Sequence, residues 1–180
     1  MGFEVVDIAI AHPDSFPLAE VLRAKQETGI DIVTTTTLGS DTNLISPDED
    51  IRRNGIRHMK AMVDINRALG SRITGGVNYA GWGCLTGKPR TEQEWAWSVG
   101  AMREIAAYAQ SNWDGVIAVE CVNRFETHFL NIAEDAVQYC KDVGTRNLKV
   151  HLDCFHMIRE EKSFKGAVRT CGREYLGYVH

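Results

Sequence analysis

Residues 115–126, GVIAVECVNRFE, decide the reading of this chain. Positions 116–122 form an apolar, largely β-branched run of strand length with one acid, Glu120, set among them. Side chains alternate faces along a strand, so Ala118, Glu120 and Val122 look one way and Ile117, Val119 and Cys121 the other. If the second set packs beneath helices, Glu120 points into the middle of the fold near the C-terminal end of its strand. An isolated carboxylate there costs several kcal/mol or is forced neutral, unless it gains a counter-charge or a metal ion. The plainest counter-charge is Arg124 or a lysine.

Outward from this strand, β and α signals alternate. Residues 3–11 predict a strand ending at His12-Pro13, residues 18–28 a helix stopped by Gly29, and residues 31–38 a β-branched strand. Ser46-Pro47 opens a predicted helix to Leu69 with Gly70 as its C-cap, and 72–79 is the next strand. A glycine-rich loop with Trp82 and Pro89 leads to Thr91, the N-cap of a helix to about Ser111. Beyond the Glu120 strand come a helix over 131–143 closed by Gly144, a strand over 148–155, a helix over 163–173 and a strand over 176–180. No linker or compositional shift divides the series, so residues 1–180 read as one domain. Strict alternation implies a parallel sheet, open or closed. No GxGxxG or GxxxxGK[ST] follows a strand, and His12, Asn78, Glu120, Asp153 and His180 all stand at C-terminal strand ends. That distribution favours an α/β fold of the (β/α)8 TIM-barrel type, which assembles its site from many strand tips on one face.

Composition narrows the classes of partner. With 180 residues, 44% of them hydrophobic, the chain can bury a sizeable core. A formal net charge of -4 offers no basic face to nucleic acid or anionic lipid, and no apolar run approaches a membrane span. Five cysteines, odd in number and without a CxxC pair, fit the reduced thiols of a cytoplasmic protein. A small molecule is the expected partner.

Residues 149–156, KVHLDCFH, carry the second chemical signal. Alternation places His151, Asp153 and Phe155 on one face, opposite the apolar Val150, Leu152 and Cys154. Glu120, Asp153 and His180, from three successive strands, then converge at the barrel mouth. Such a carboxylate and imidazole set suits one divalent ion, Mn²⁺, Co²⁺ or Mg²⁺, better than a thiolate-seeking metal. Each residue has a plainer reading as well. Asp153 caps the following loop, His151 fills the barrel, His156 packs, Glu126 is solvated and Trp82 plugs the core.

The segments VECVNRFETHFLN, KVHLDCFHMIREE and LGYVH together resemble the ketose 3-epimerases of the D-tagatose/D-psicose (allulose) 3-epimerase family, within the xylose isomerase-like TIM-barrel superfamily. The resemblance implies that Glu120 is both metal ligand and catalytic acid/base, and that Asp153 and His180 are metal ligands. It implies that Glu126 and His156 hold sugar hydroxyls and that Trp82 covers the sugar. The implied reaction is epimerisation of a ketose at C3 through a cis-enediolate, with Mn²⁺ as the first choice of ion and Co²⁺ or Mg²⁺ as alternatives. It further implies a dimer or tetramer for the intact parent. Judged against the family, the chain lacks the first strand and helix and the last strand, which bears a second catalytic glutamate. That leaves about six parallel strands of an incomplete barrel, expected to lack epimerase turnover of its own. Competing readings are another sugar or keto-acid isomerase of the superfamily, of the hydroxypyruvate isomerase type, and a non-catalytic remnant. A metal-dependent phosphodiesterase wants more histidines and a basic face than the chain has.

Overall fold

In the computed structural model, which describes residues 2–180, six parallel strands pair strictly in sequence order. They are β1 (Val5–Ala9), β2 (Asp31–Thr35), β3 (Ile73–Gly75), β4 (Val116–Glu120), β5 (Leu148–Leu152) and β6 (Leu176–Val179). Helices α1 (Leu18–Thr28), α2 (Glu49–Leu69), α3 (Glu92–Asn112) and α4 (Ala133–Val143) each join one strand to the next, and α5 (Cys154–Glu160) and α6 (Phe164–Tyr175) lie between β5 and β6. The sheet is parallel, as the alternation predicts, and curls into an incomplete barrel, as the resemblance implies. Although β1 and β6 are the two ends of the strand order, the Tyr178 hydroxyl reaches Asp7 Oδ2 at 2.7 Å across the interior.

Local chemistry sets the helices. The Asp48 carboxylate accepts from the Asp50 amide at 2.8 Å and so caps α2 two residues later than the predicted Ser46. Ser46 instead accepts from the Asp48 amide in the approach turn. Thr91 and Glu94 form a reciprocal capping box at the head of α3. Gly29, Gly70 and Gly144 end α1, α2 and α4 in the left-handed conformation that stops a helix.

The core lies between sheet and helices. Ile117, Val119 and Cys121 of the Glu120 segment, with Leu148, Val150 and Leu152 of β5, are buried against Met102 and Ile105 of α3 and Tyr139 and Cys140 of α4. Each fully buried aliphatic side chain contributes about 1.5–3 kcal/mol. This burial fixes the register, since a one-residue slip would turn the entire set inward. Glu120 therefore faces the barrel interior, as its alternation with Ile117 and Val119 requires.

Strand ends differ from the predicted ones. β3 is three residues long rather than eight-odd, because Gly76 turns the chain at φ 105°, where a Cβ would lie 2.1 Å from the Thr36 carbonyl oxygen. β5 stops at Leu152, and Asp153 caps α5 by accepting from the Phe155 amide at 2.6 Å. Phe155, expected on the inner strand face, is consequently exposed on a helix. No described helix is long and apolar enough to cross a membrane.

Candidate active site

Glu120 ends β4 and is opposed in register by His151 of β5. Its side chain is 13% exposed, yet neither carboxylate oxygen accepts a hydrogen bond among the described residues. The nearest partners are imidazoles: His151 Nδ1 lies 3.6 Å from Oε2 and His156 Nε2 lies 3.6 Å from Oε1. Burial, reinforced by the negative charges of Asp153, Glu126 and Asp7, pushes the Glu120 carboxyl up to about 8. Arg124, the plain counter-charge, is taken elsewhere. Its guanidinium makes a two-point pair with Glu160, Nε to Oε1 at 3.0 Å and Nη2 to Oε2 at 2.6 Å.

The three residues expected to share an ion fall in two overlapping groups. Glu120, Asp153 and His156 each bring one ligand atom within 4.8 Å of the others, and so do Glu120, His151 and His180. Asp153 and His180 approach as well, with His180 Nδ1 3.8 Å from Asp153 Oδ2. The backbone fixes His180 beside β5, its amide donating to the Leu152 carbonyl at 2.9 Å and its carbonyl accepting from Cys154 at 3.0 Å. Asp153 thus joins two roles that the sequence left as alternatives, helix cap and member of the acidic cluster.

His151 is fully buried with neither ring nitrogen hydrogen-bonded, its ring edge-on to His180 at 4.4 Å and 4.8 Å from Tyr178. Burial, with the nearby His180 and His156, pushes it down to about 3, so it is a neutral imidazole. Gly75 makes room for it: a Cβ there would meet His151 Nδ1 at 3.0 Å and Tyr178 Cδ1 at 3.2 Å. A mostly buried acid and a fully buried imidazole, side by side and with no hydrogen bond to either among the described residues, form a donor set that a divalent cation would satisfy. The donors are oxygen and nitrogen throughout, with Cys121 turned into the outer core.

Beyond the cluster lies a polar shelf. Glu126 is held at both oxygens, Oε1 by Asn123 Nδ2 at 2.7 Å and Oε2 by the Trp82 indole nitrogen at 2.9 Å. His156 Nδ1 lies 2.9 Å from Asn123 Nδ2 and 3.2 Å from the Asn123 amide, which assigns that ring nitrogen as acceptor and leaves Nε2–H facing Glu120. Trp82 is half exposed and therefore no core plug. Glu126, His156 and Trp82 are thus connected through Asn123 next to Glu120.

Two strand-end residues stand apart. His12 is exposed and lines a separate cavity of about 350 Å³ with Asp14, Asp41, Arg57 and His58. Asn78 is buried, donating to the Ala118 carbonyl at 3.0 Å, with its Oδ1 unpartnered. The sequence reading missed Asp7, Asn123 and Tyr178. Asp7 carried the same signal as Glu120, a lone acid in the apolar run VVDIAIA of residues 5–11, and the criterion used for one would have found the other. Burial, then the hydrogen bond to Asp7, raise the Tyr178 phenol well above its ordinary range, so it stays a proton donor.

A parallel barrel sheet that gathers carboxylates and imidazoles at successive strand tips defines the class of barrel proteins that work at the C-terminal mouth. More narrowly, the chain belongs to the xylose isomerase-like TIM barrel family, whose model it matches over residues 1–180. It is 34% identical over 186 residues to a D-psicose 3-epimerase of Ruminiclostridium cellulolyticum, covering 100% of this chain and 62% of that protein. It is 29% identical over 180 residues to an L-ribulose 3-epimerase of Mesorhizobium japonicum, covering 99% and 59%. Among solved structures it matches the D-allulose 3-epimerase of Methylomonas sp. in complex with D-allulose with a TM-score of 0.95 at 30% identity, covering 99% of this chain and 61% of that one. The chain spans less than two thirds of the length of these relatives.

Proposed function

We propose that the protein serves metal-dependent epimerisation of a ketose at C3, with Glu120 as the acid/base. The observation that carries this reading is Glu120 itself, a buried strand-tip carboxylate without a hydrogen bond, among imidazoles and a second acid. The similarity to psicose, allulose and ribulose 3-epimerases supports a ketose of five or six carbons as substrate. Glu120, Asp153 and His180 would hold one divalent ion, Mn²⁺ before Co²⁺ or Mg²⁺; in support, Glu120 groups with His151 and His180 on one side and with Asp153 and His156 on the other, and His180 Nδ1 lies 3.8 Å from Asp153 Oδ2. When bound, that ion supplies Lewis acidity to the ketose carbonyl and the neighbouring hydroxyl, which lowers the barrier to loss of the C3 proton.

The rest falls to the side chains. Glu120 takes the C3 proton, a role that needs its carboxylate ionised, the form a bound cation favours. Proton loss leaves the sugar as an enediolate. Glu126, pinned by Asn123 and Trp82, presents a fixed acceptor for sugar hydroxyls, and His156 presents an N–H beside it. The half-exposed Trp82 ring offers a flat apolar face to the C–H side of the sugar. Inversion also needs a proton returned from the opposite face. The half of the reaction that Glu120 carries is removal of the C3 proton.

The test follows that half reaction. Purified chain with Mn²⁺ is incubated in D₂O with D-fructose, D-tagatose or L-ribulose, and ¹H NMR follows each carbon-bound proton. Metal-dependent loss of the C3 proton, abolished in Glu120→Gln, is the expected result. Exchange at C1 alone would instead indicate an aldose–ketose isomerase. A chain that binds Mn²⁺ but exchanges no proton would defeat the reading.

A further inference from the structure

We propose that Asp7, at the opposite end of the strand order from His180, is the positioning residue that fixes the His180 tautomer and aims its Nδ1 at the cation position. The proposal rests on the metal-site reading above and goes beyond it to a residue that takes no direct part in holding the ion. Asp7 is partly buried on β1 and its carboxylate is fully engaged: Oδ1 accepts from the Thr35 hydroxyl at 2.9 Å, and Oδ2 accepts from the Tyr178 hydroxyl at 2.7 Å. His180 Nε2 stands 3.2 Å from that same Oδ2 and 3.0 Å from the Tyr178 oxygen.

Proton bookkeeping then leaves one arrangement. The single hydroxyl proton of Tyr178 goes to Asp7, the shorter contact, so the phenol oxygen turns a lone pair toward His180. A carboxylate only accepts. Both neighbours of Nε2 are therefore acceptors, and Nε2 must carry the hydrogen. Nδ1 is left with its lone pair, and it faces Asp153 Oδ2 at 3.8 Å, too long for a hydrogen bond and suited to a shared cation. The rings of His151 and Tyr178 hold the imidazole plane, with centroids 4.4 and 4.7 Å from that of His180. A carboxylate behind a metal-ligating histidine both sets its tautomer and raises its basicity, and loss of such a partner weakens metal binding about 10- to 100-fold.

Two measurements test this, and they fail separately. First, long-range ¹H–¹⁵N NMR of the metal-free, ¹⁵N-histidine-labelled chain reads the His180 tautomer directly, with assignment by His180→Gln. The Nε2–H form is expected, with collapse to a tautomer mixture in Asp7→Leu. Second, titration with Mn²⁺ alone is expected to show about 10- to 100-fold weaker binding in Asp7→Leu, with partial recovery in Asp7→Asn, which keeps one acceptor oxygen. Circular dichroism establishes that each variant is folded, and the wild-type tautomer needs no variant at all. An Nδ1–H or doubly protonated His180 in the wild-type chain overturns the proposal, as does unchanged Mn²⁺ affinity in a folded Asp7→Leu. If the wild-type chain fails to take up Mn²⁺, the metal-site reading falls, and the tautomer measurement still decides the role of Asp7.

Discussion

At Glu120 function and stability pull in opposite directions. A mostly buried carboxyl without a hydrogen bond is held in an unfavourable setting, which suits the proposed proton transfer and weakens the fold once the group ionises. Glu120→Gln is therefore expected to lower the rate of C3 proton exchange by at least ~10², the usual scale of an acid/base contribution. The same variant is expected to raise the melting temperature of the metal-free chain above about pH 8, where the wild type must carry the buried charge. Thermal denaturation in EDTA at two pH values checks the second point, and an unchanged or lowered melting temperature at high pH would contradict it. How Glu120 faces was legible in the sequence, because alternation is a local rule and its neighbours Ile117 and Val119 are unambiguous. Its lack of partners was not. That depends on Arg124 choosing Glu160, 36 residues further on, and on where His151 and His156 arrive in space.

The elements were read well in kind and less well in length. The Thr91 N-cap, the three glycine stops and the β/α alternation are written in adjacent residues and fell where predicted. Thr91→Ala is expected to cost about 1 kcal/mol by urea denaturation, the usual value for an N-cap. The short β3 was hidden, because the bend at Gly76 answers to the Thr36 carbonyl, which no local pattern reveals. Gly76→Ala combines a positive φ with a backbone collision, and destabilisation of about 3 kcal/mol or more is expected. Gly75→Ala should behave differently. Its Cβ presses on His151 and Tyr178 rather than on the main chain, so weaker Mn²⁺ binding is expected in a chain that still folds. A matched loss of stability and metal binding in both variants would show that the two glycines are not separable in this way.

For the molecule as a whole, the buried cluster writes a signature into the pH dependence of stability. The folded chain holds the Glu120 proton up to about 8 while the unfolded chain releases it near 4.5, so this contribution is full below 4.5 and lost as pH rises through 8. His151 has the opposite sign. Its affinity for protons falls from 6.5 to about 3 on folding, so its contribution is full above 6.5 and lost as pH falls through 3. The two slopes oppose one another between 4.5 and 6.5, and the metal-free chain should show a plateau there with declines on both sides. Mn²⁺ favours the ionised carboxylate and is expected to flatten the alkaline decline. Denaturation midpoints across this range, with EDTA or with Mn²⁺, check both limbs, and stability that climbs from about pH 7 to 9 without metal would contradict the burial of Glu120.

The contact between Tyr178 and Asp7 joins residues 171 positions apart. Neighbouring strands can nucleate early from short-range pairings, whereas a bridge of this span closes a very long loop, and its entropic cost falls late in folding. On the metal-site reading, cation binding is therefore expected to be the last property acquired. An intermediate with its helices and central strands in place, but with β1 or β6 still loose, would look nearly native by circular dichroism and yet bind no ion, so metal uptake reports that folding has finished.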